Sequence, residues 1–192
     1  MRKIFKLIIL LIVLMQAACT LNTPRKQYHG ESRAPSDLAV ITGDCDPVCE
    51  SLVRKRLDIA NNFDISISTP MLQEIDGKPG ESTLGNDCGG DNSRGVYNNL
   101  LIGGLQVELL PGEHEMLVYV DNCKVRYALK HSFKAHLVVG HTYALIQVSK
   151  VKSGLFTNEY IVRWFPVLMD VTSGTFLYNG DGLHWLKASQ YE

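Results

Sequence analysis

The 192-residue chain has no strongly basic stretch: 19 Lys and Arg stand against 20 Asp and Glu, a net charge of −1. The electrostatic footprint of a nucleic-acid-binding surface is therefore missing. No G-x-S-x-G elbow and no G-x-x-x-x-G-K-S/T loop occurs, which removes the common signatures of serine hydrolysis and of phosphate cradling. His114-Glu115 opens like the zinc-protease H-E-x-x-H, but Val118 holds the fifth position. The surrounding alternation is that of a strand, whereas that motif needs a helix to bring its two histidines onto one face. Cysteine is scarce, five residues in all. Cys45-x-x-x-Cys49 has one residue too many for a thioredoxin-type pair, and no His/Cys set with zinc-finger spacing follows. There is no internal repeat and no low-complexity tract. Long apolar runs are missing too: Leu7 to Met15 is unbroken, but even extended to Ala18 it falls short of the ~18 residues that cross a bilayer as a stable helix.

What the first forty residues do contain is an address. Arg2, Lys3 and Lys6, then the short apolar run, then small residues have the layout of a cleaved export signal. Ala17-Ala18 before Cys19 resembles a lipobox, the recognition site of the lipoprotein signal peptidase. That resemblance implies a signal peptide over 1–18 and a Cys19 that carries diacylglycerol and acyl (palmitate-type) chains as the new N-terminus. Gln16 departs from the usual Leu of that family, and the same Gln spoils an A-x-A site for the general signal peptidase. A plain secretory signal with Cys19 incidental is the alternative. Parity bears on the choice: five cysteines in an exported chain leave one unpaired, whereas a lipidated Cys19 leaves Cys45, Cys49, Cys88 and Cys123 for two disulfides in an oxidising periplasm. Of three possible connectivities, Cys45–Cys49 with Cys88–Cys123 is preferred. Thr20 in place of Asp after the cysteine points, by resemblance to Gram-negative lipoproteins, to the outer membrane. The domain then lies in the periplasm, with exposure at the cell surface as a second possibility. Residues 19–37 are polar, with Pro24, Gly30 and Pro35 and no apolar period, and are expected to be a flexible tether reaching on the order of 55 Å when extended.

Residues 38–192 have the length of one domain. Without the three basic residues of the signal, Lys and Arg fall from 19 to 16 against 20 acids, so the mature chain stands near −4. Alternation dominates. Phe133, Ala135 and Leu137 share one face of SFKAHLV, Val107 and Leu109 one face of LQVELL, and Met116, Val118 and Val120 one face of HEMLVYV. HTYALIQVS, EYIVRWFPVLMDV and TFLY follow Gly140, Gly154 and Gly174, and LAVIT (38–42) and FDISIST (63–69) come earlier. Short strands with Gly and Pro punctuation predict a mainly β fold, an antiparallel β-sandwich of about seven to eight strands. One short helix is expected from Pro47 through Leu57, with Asp46 before it and a weakly apolar face of Val48, Leu52 and Arg56.

Four phrases, EIDGKPG (74–80), VELLPGEHEMLVYV (107–120), FKAHLVVGHTYAL (133–145) and WFPVLMDVTSG (164–174), together resemble an uncharacterised group of bacterial envelope lipoproteins with PEGA-type β-sandwich modules. The resemblance covers roughly residues 64–174 and implies a fold, not catalytic residues; the insertion over 81–99 departs from it. In physical terms, Pro111 fixes φ and Gly112 accepts a positive φ, so LLPGEH pins a turn and with it the strand register. His114 and His141 each follow a glycine turn, where an imidazole can bond a turn carbonyl while its ring packs.

Two further features are candidate ligand sites. Asp87, Asp91 and Asn92 in GNDCGGDNSRG (85–95) offer oxygens to Ca²⁺, although a surface loop stapled by Cys88 is the simpler reading. Trp164, Phe165 and Trp185 offer faces to a sugar, although large aromatics in a small sandwich are usually core. The chain is therefore expected to be non-catalytic, with no cofactor and no bound metal. Its expected partners are the membrane, through its N-terminal lipid, and other envelope proteins, for which it acts as a structural or interaction module. The alternative is a lipoprotein that binds glycan, peptidoglycan or a metal.

Overall fold

The computed structural model describes residues 25–59, 64–80, 82–83, 95–96, 104–120, 130–152 and 160–180. Cys19, Cys88, Cys123, Asp87, Asp91, Asn92 and Trp185 lie outside them. The described elements begin with β1 (Arg25–Lys26), a 3₁₀ turn (Pro35–Asp37), β2 (Ala39–Thr42), α1 (Pro47–Arg56), β3 (Ile65–Ser68), β4 (Met71–Ile75) and β5 (Lys78–Pro79). Two short strands follow, β6 (Ser82–Thr83) and β7 (Gly95–Val96), then β8 (Gln106–Leu109) and β9 (Gly112–Tyr119). The last four are β10 (Lys130–Leu137), β11 (Thr142–Lys152), β12 (Tyr160–Asp170) and β13 (Thr175–Tyr178).

Two sheets face each other, as the alternation predicts. One runs β1-β8-β2-β11-β12-β13, with β3 also paired to β11; the other runs β10-β9-β4-β5, and β6 pairs only with β7. Pairing is antiparallel except for β1 with β8 and β2 with β11. The inner faces meet in a core that includes Ile41, Leu72, Val107, Met116, Val118, Leu137, Tyr143, Leu145, Trp164 and Leu168. Each fully buried aliphatic side chain there contributes about 1.5–3 kcal/mol relative to exposure.

The larger sheet is covered on its outer face as well, which is why residues 143–149 and 164–170 are buried without a break and read as nearly continuous apolar runs. The cover is α1. Asp46 accepts a hydrogen bond from Cys49 N at 2.8 Å, Pro47 takes the first turn, and Arg54, Lys55 and Arg56 end it against the helix dipole. Its buried face is a correction to the sequence reading. Cys49, Val53 and Leu57, at i, i+4 and i+8, pack against Ala144, Ile146, Val148, Phe165, Val167 and Met169. Val48 is 75% exposed, Leu52 only half-buried and Arg56 exposed. The Cys45–Cys49 disulfide, with Cα atoms 5.1 Å apart, turns Cys49 into an apolar group on the sheet side and so rotates the face by one residue.

The segment expected to hang free over 19–37 is docked from Arg25 onward. β1 pairs with Val107 and Glu108, Gln27 N donates to Glu108 O at 3.0 Å, and Tyr28 Oη donates to the Glu108 carboxylate at 3.4 Å. A polar segment without apolar periodicity joins a sheet in this way because the ladder is made by backbone groups. β3 leaves the larger sheet at Thr69-Pro70 and continues as β4 in the smaller one. At this crossing a Cβ on Gly43 would stand 2.4 Å from Thr69 Cγ2, so the two chains pass only because residue 43 has no side chain.

Candidate functional site

Register places four turns at one end of the sandwich. Gly112 pairs with Leu137, Leu109 with Ala39, Val40 with Thr142 and Tyr143 with Asp170. Asp76-Gly77, Leu110-Pro111, Val138–His141 and Val171–Gly174 therefore lie together, and two His–Asp pairs clamp them.

The first clamp is built on the β4–β5 hairpin. Asp76 and Gly77 have φ of 52° and 72°, the two positive values that a two-residue primed turn demands and that Asp-Gly supplies most readily. Asp76 Oδ1 accepts from Glu115 N at 2.9 Å, and Asp76 N donates to Glu115 O at 2.8 Å. Its Oδ2 lies 2.7 Å from His114 Nδ1, while His114 Nε2–H donates to Leu110 O at 2.8 Å. One imidazole thus ties the hairpin to the β8–β9 turn, and the turn carbonyl it bonds is the kind of partner its position after Gly112 predicts.

The second clamp centres on Asp170, which is 5% exposed. Oδ1 accepts from Thr172 N at 2.9 Å and Ser173 N at 3.3 Å; Oδ2 accepts from Ser173 Oγ at 2.7 Å and His141 Nδ1–H at 2.8 Å. Burial pushes this carboxyl up, but the donors from Ser173, His141 and the turn backbone outweigh it and hold Asp170 below the ordinary carboxylate range. Tyr143, beneath His141, is pushed above the usual phenol range by burial, with the Asp170 charge adding to the effect; its Oη accepts from Val138 N at 2.7 Å.

Ser173, Asp170 and His141 have the composition of a nucleophilic triad, but the hydroxyl donates to the carboxylate rather than to the imidazole. A serine activated for attack must give its proton to the base. What the arrangement does is lock a turn. Around it, Leu110, Val138, Val139 and Val171 are exposed, four of the five large apolar side chains so described.

The opposite end of the interior differs. His131, inward on β10, meets Trp164 edge-on with ring centroids 4.6 Å apart. Among the described residues, His131 Nε2, Trp164 Nε1 and, elsewhere, Gln73 Oε1 are buried without a hydrogen-bond partner. Burial holds the His131 ring below the ordinary imidazole range, and a bond to the Trp164 backbone opposes this. On the same inner face Gln147 Nε2 donates to Ser149 Oγ at 2.6 Å, Ser149 lying opposite Trp164.

Of the residues singled out in the sequence, Cys45 and Cys49 are joined as preferred, and Trp164 and Phe165 are each 4% exposed, on opposite faces of the larger sheet. They are core groups, not stacking platforms. Both His–Asp pairings escaped sequence reading, since 38 and 29 residues separate their members. The available signal was an Asp at a turn and a His just past a glycine. Among the described residues, no three His, Cys, Asp or Glu side chains converge to hold a metal ion, and no helix is long and apolar enough to cross a membrane.

These features define a mainly β sandwich with one helix-covered face and one clamped loop end. In comparisons with known proteins, no family model, no curated protein and no solved structure matches the chain.

Proposed function

We propose that this protein is a lipid-anchored lipoprotein of the bacterial envelope, attached to the outer membrane through Cys19, and that its sandwich is a non-catalytic module that binds another envelope protein. The observation that carries the reading is the turn end. Two His–Asp clamps hold four turns in fixed positions, and those turns present Leu110, Val138, Val139 and Val171 to solvent. Exposed apolar side chains gathered on a rigid surface are characteristic of protein contact sites. The export signal, the Ala17-Ala18-Cys19 site and the even number of remaining cysteines support the address.

The test uses intact cells and gentle crosslinking. The full chain captures a defined partner, and Val139→Asp with Val171→Asp abolishes that capture while the circular dichroism spectrum is unchanged. Capture that survives both substitutions places the contact elsewhere and sinks the reading of this surface. In the same cells Cys19→Ser abolishes incorporation of labelled fatty acid; retained label refutes the anchor.

A further inference from the structure

We propose that the end of the sandwich opposite the turns is a docking face for the headgroups of anionic phospholipids. The inference rests on the lipid-anchored reading above and adds which end of the domain meets the bilayer.

The chain topology gathers basic residues there. α1 ends in Arg54, Lys55 and Arg56, and Arg54 Nη2 reaches Ile65 O at 3.4 Å. Ile65 pairs with Lys150, Lys150 lies opposite Arg163, and Lys152 ends β11 one turn of strand further out. Among the described residues the acids nearby are Asp58, Asp64 and Glu50, the last bound to Arg54 at 2.8 Å. Lys55, Arg56, Lys150, Lys152 and Arg163 form no ion pair among the described residues. The turn end leans the other way, with Asp76, Glu113, Glu115 and Asp170 against Lys78 and Lys134, the latter 3.8 Å from Glu113.

The fold itself accounts for only part of this. Basic residues in the last turn of a helix complement its dipole, which explains the α1 set. Lys150 and Arg163 have no such reason: like charges directly opposite on neighbouring strands destabilise a sheet. Their placement is favourable when an anion outside the protein neutralises both. The geometry of the leash selects that anion. Arg25 is docked on β8, so from a lipidated Cys19 only five residues intervene before the sheet, at most about 20 Å of extended chain. The domain is therefore held close to the bilayer, and β1, parallel to β8, runs towards the turns, with Arg25 level with Val107, Ile41 and Tyr143. Each Lys or Arg near an anionic surface adds about 1 kcal/mol, roughly a fivefold increase in the population of that orientation. The five basic residues that form no ion pair among the described residues then outweigh any weak preference of the tether.

Lysine footprinting on the full chain tests this. The protein is reconstituted into vesicles of phosphatidylethanolamine and phosphatidylglycerol, or of phosphatidylcholine alone, acetylated briefly, digested and read by mass spectrometry. Lys55, Lys150 and Lys152 lose reactivity several-fold on the anionic vesicles only, Lys78 at the turn end does not, and salt at roughly 0.5 M, where screening reaches only a few Å, restores it. Equal reactivity on both vesicles, or protection of Lys78 in place of the basic end, overturns the proposal. The same digest reports Cys19. An unacylated Cys19 with the basic end protected removes the anchor and leaves the docking face standing; an acylated Cys19 with equal lysine reactivity does the opposite.

Discussion

The two ends of the sandwich handle polar groups in opposite ways. At the turn end the side chains of the two clamps are paired: Asp170 accepts four hydrogen bonds, Asp76 bonds both His114 and Glu115, and His114 uses both ring nitrogens. At the other end His131 Nε2 and Trp164 Nε1 are buried with no hydrogen-bond partner among the described residues, and Lys150 stands opposite Arg163. Saturated polar networks make a structure rigid and specific, whereas orphaned groups and apposed like charges subtract from stability. The first end is therefore built to hold a shape, and the second carries features that folding alone does not reward.

The comparison is broken most forcefully at Asp170. Asp170→Ala removes the acceptor for two backbone N–H groups, a hydroxyl and an imidazole, and is expected to lower stability by about 3 kcal/mol in urea denaturation. The sign of its pH dependence follows from its lowered value in the fold. The stabilisation is fully present above the ordinary carboxylate value of 3.8, and it is lost as pH falls through and below that range. Asp170→Asn abolishes this acid-limb contribution. An unchanged acid limb in Asp170→Asn shows that the carboxylate is not what fastens the turn.

His114→Ala is expected to cost less, about 1–2 kcal/mol, because the Asp76 side chain it releases is 47% exposed and water replaces the lost partner. Its sharper signature is local. Amide exchange at Asp76 and Glu115 speeds up, whereas exchange in β11 and β12 stays as in the wild type. Faster exchange throughout both sheets makes His114 a core determinant and erases the distinction between a clamp and a core.

How much of this was legible in the sequence follows from the range of the interactions. Strand alternation and turn chemistry are local, so SFKAHLV, LPGEH and IDG gave the sandwich, its register and its turn residues, and Asp46-Pro47 gave the start of α1. The face of α1 was misread because Cys49 counted as a thiol with a partner rather than as an apolar group lying on a sheet. β1 was missed because backbone pairing leaves no mark in a polar segment. The His–Asp clamps join residues that only the closed fold brings together. So does the basic end, whose six charges come from a helix and two strands scattered between residues 54 and 163; no sequence window contains them.

The smallest expected effect is the most discriminating, because two terms of opposite sign set it. Trp164→Phe shortens a buried ring, which by itself costs on the order of 1–2 kcal/mol. It also removes a buried N–H that has no partner, and relief of that penalty returns about 1–3 kcal/mol. The two terms nearly cancel, so stability changes by less than about 1 kcal/mol. His131 adds a pH arm. Burial lowers its pKa from 6.5, so the unfolded chain takes up the proton that the fold resists. The stability it contributes is present above that value and is lost as pH falls from about 7 towards 5. His131→Phe keeps an aromatic edge against Trp164 and is expected to flatten that descent, with a net gain near pH 5. If Trp164→Phe instead lowers stability by more than about 2 kcal/mol, and His131→Phe leaves the slope between pH 7 and 5 intact, the two nitrogens are satisfied in solution. The polar groups at both ends of the sandwich then obey the same rule.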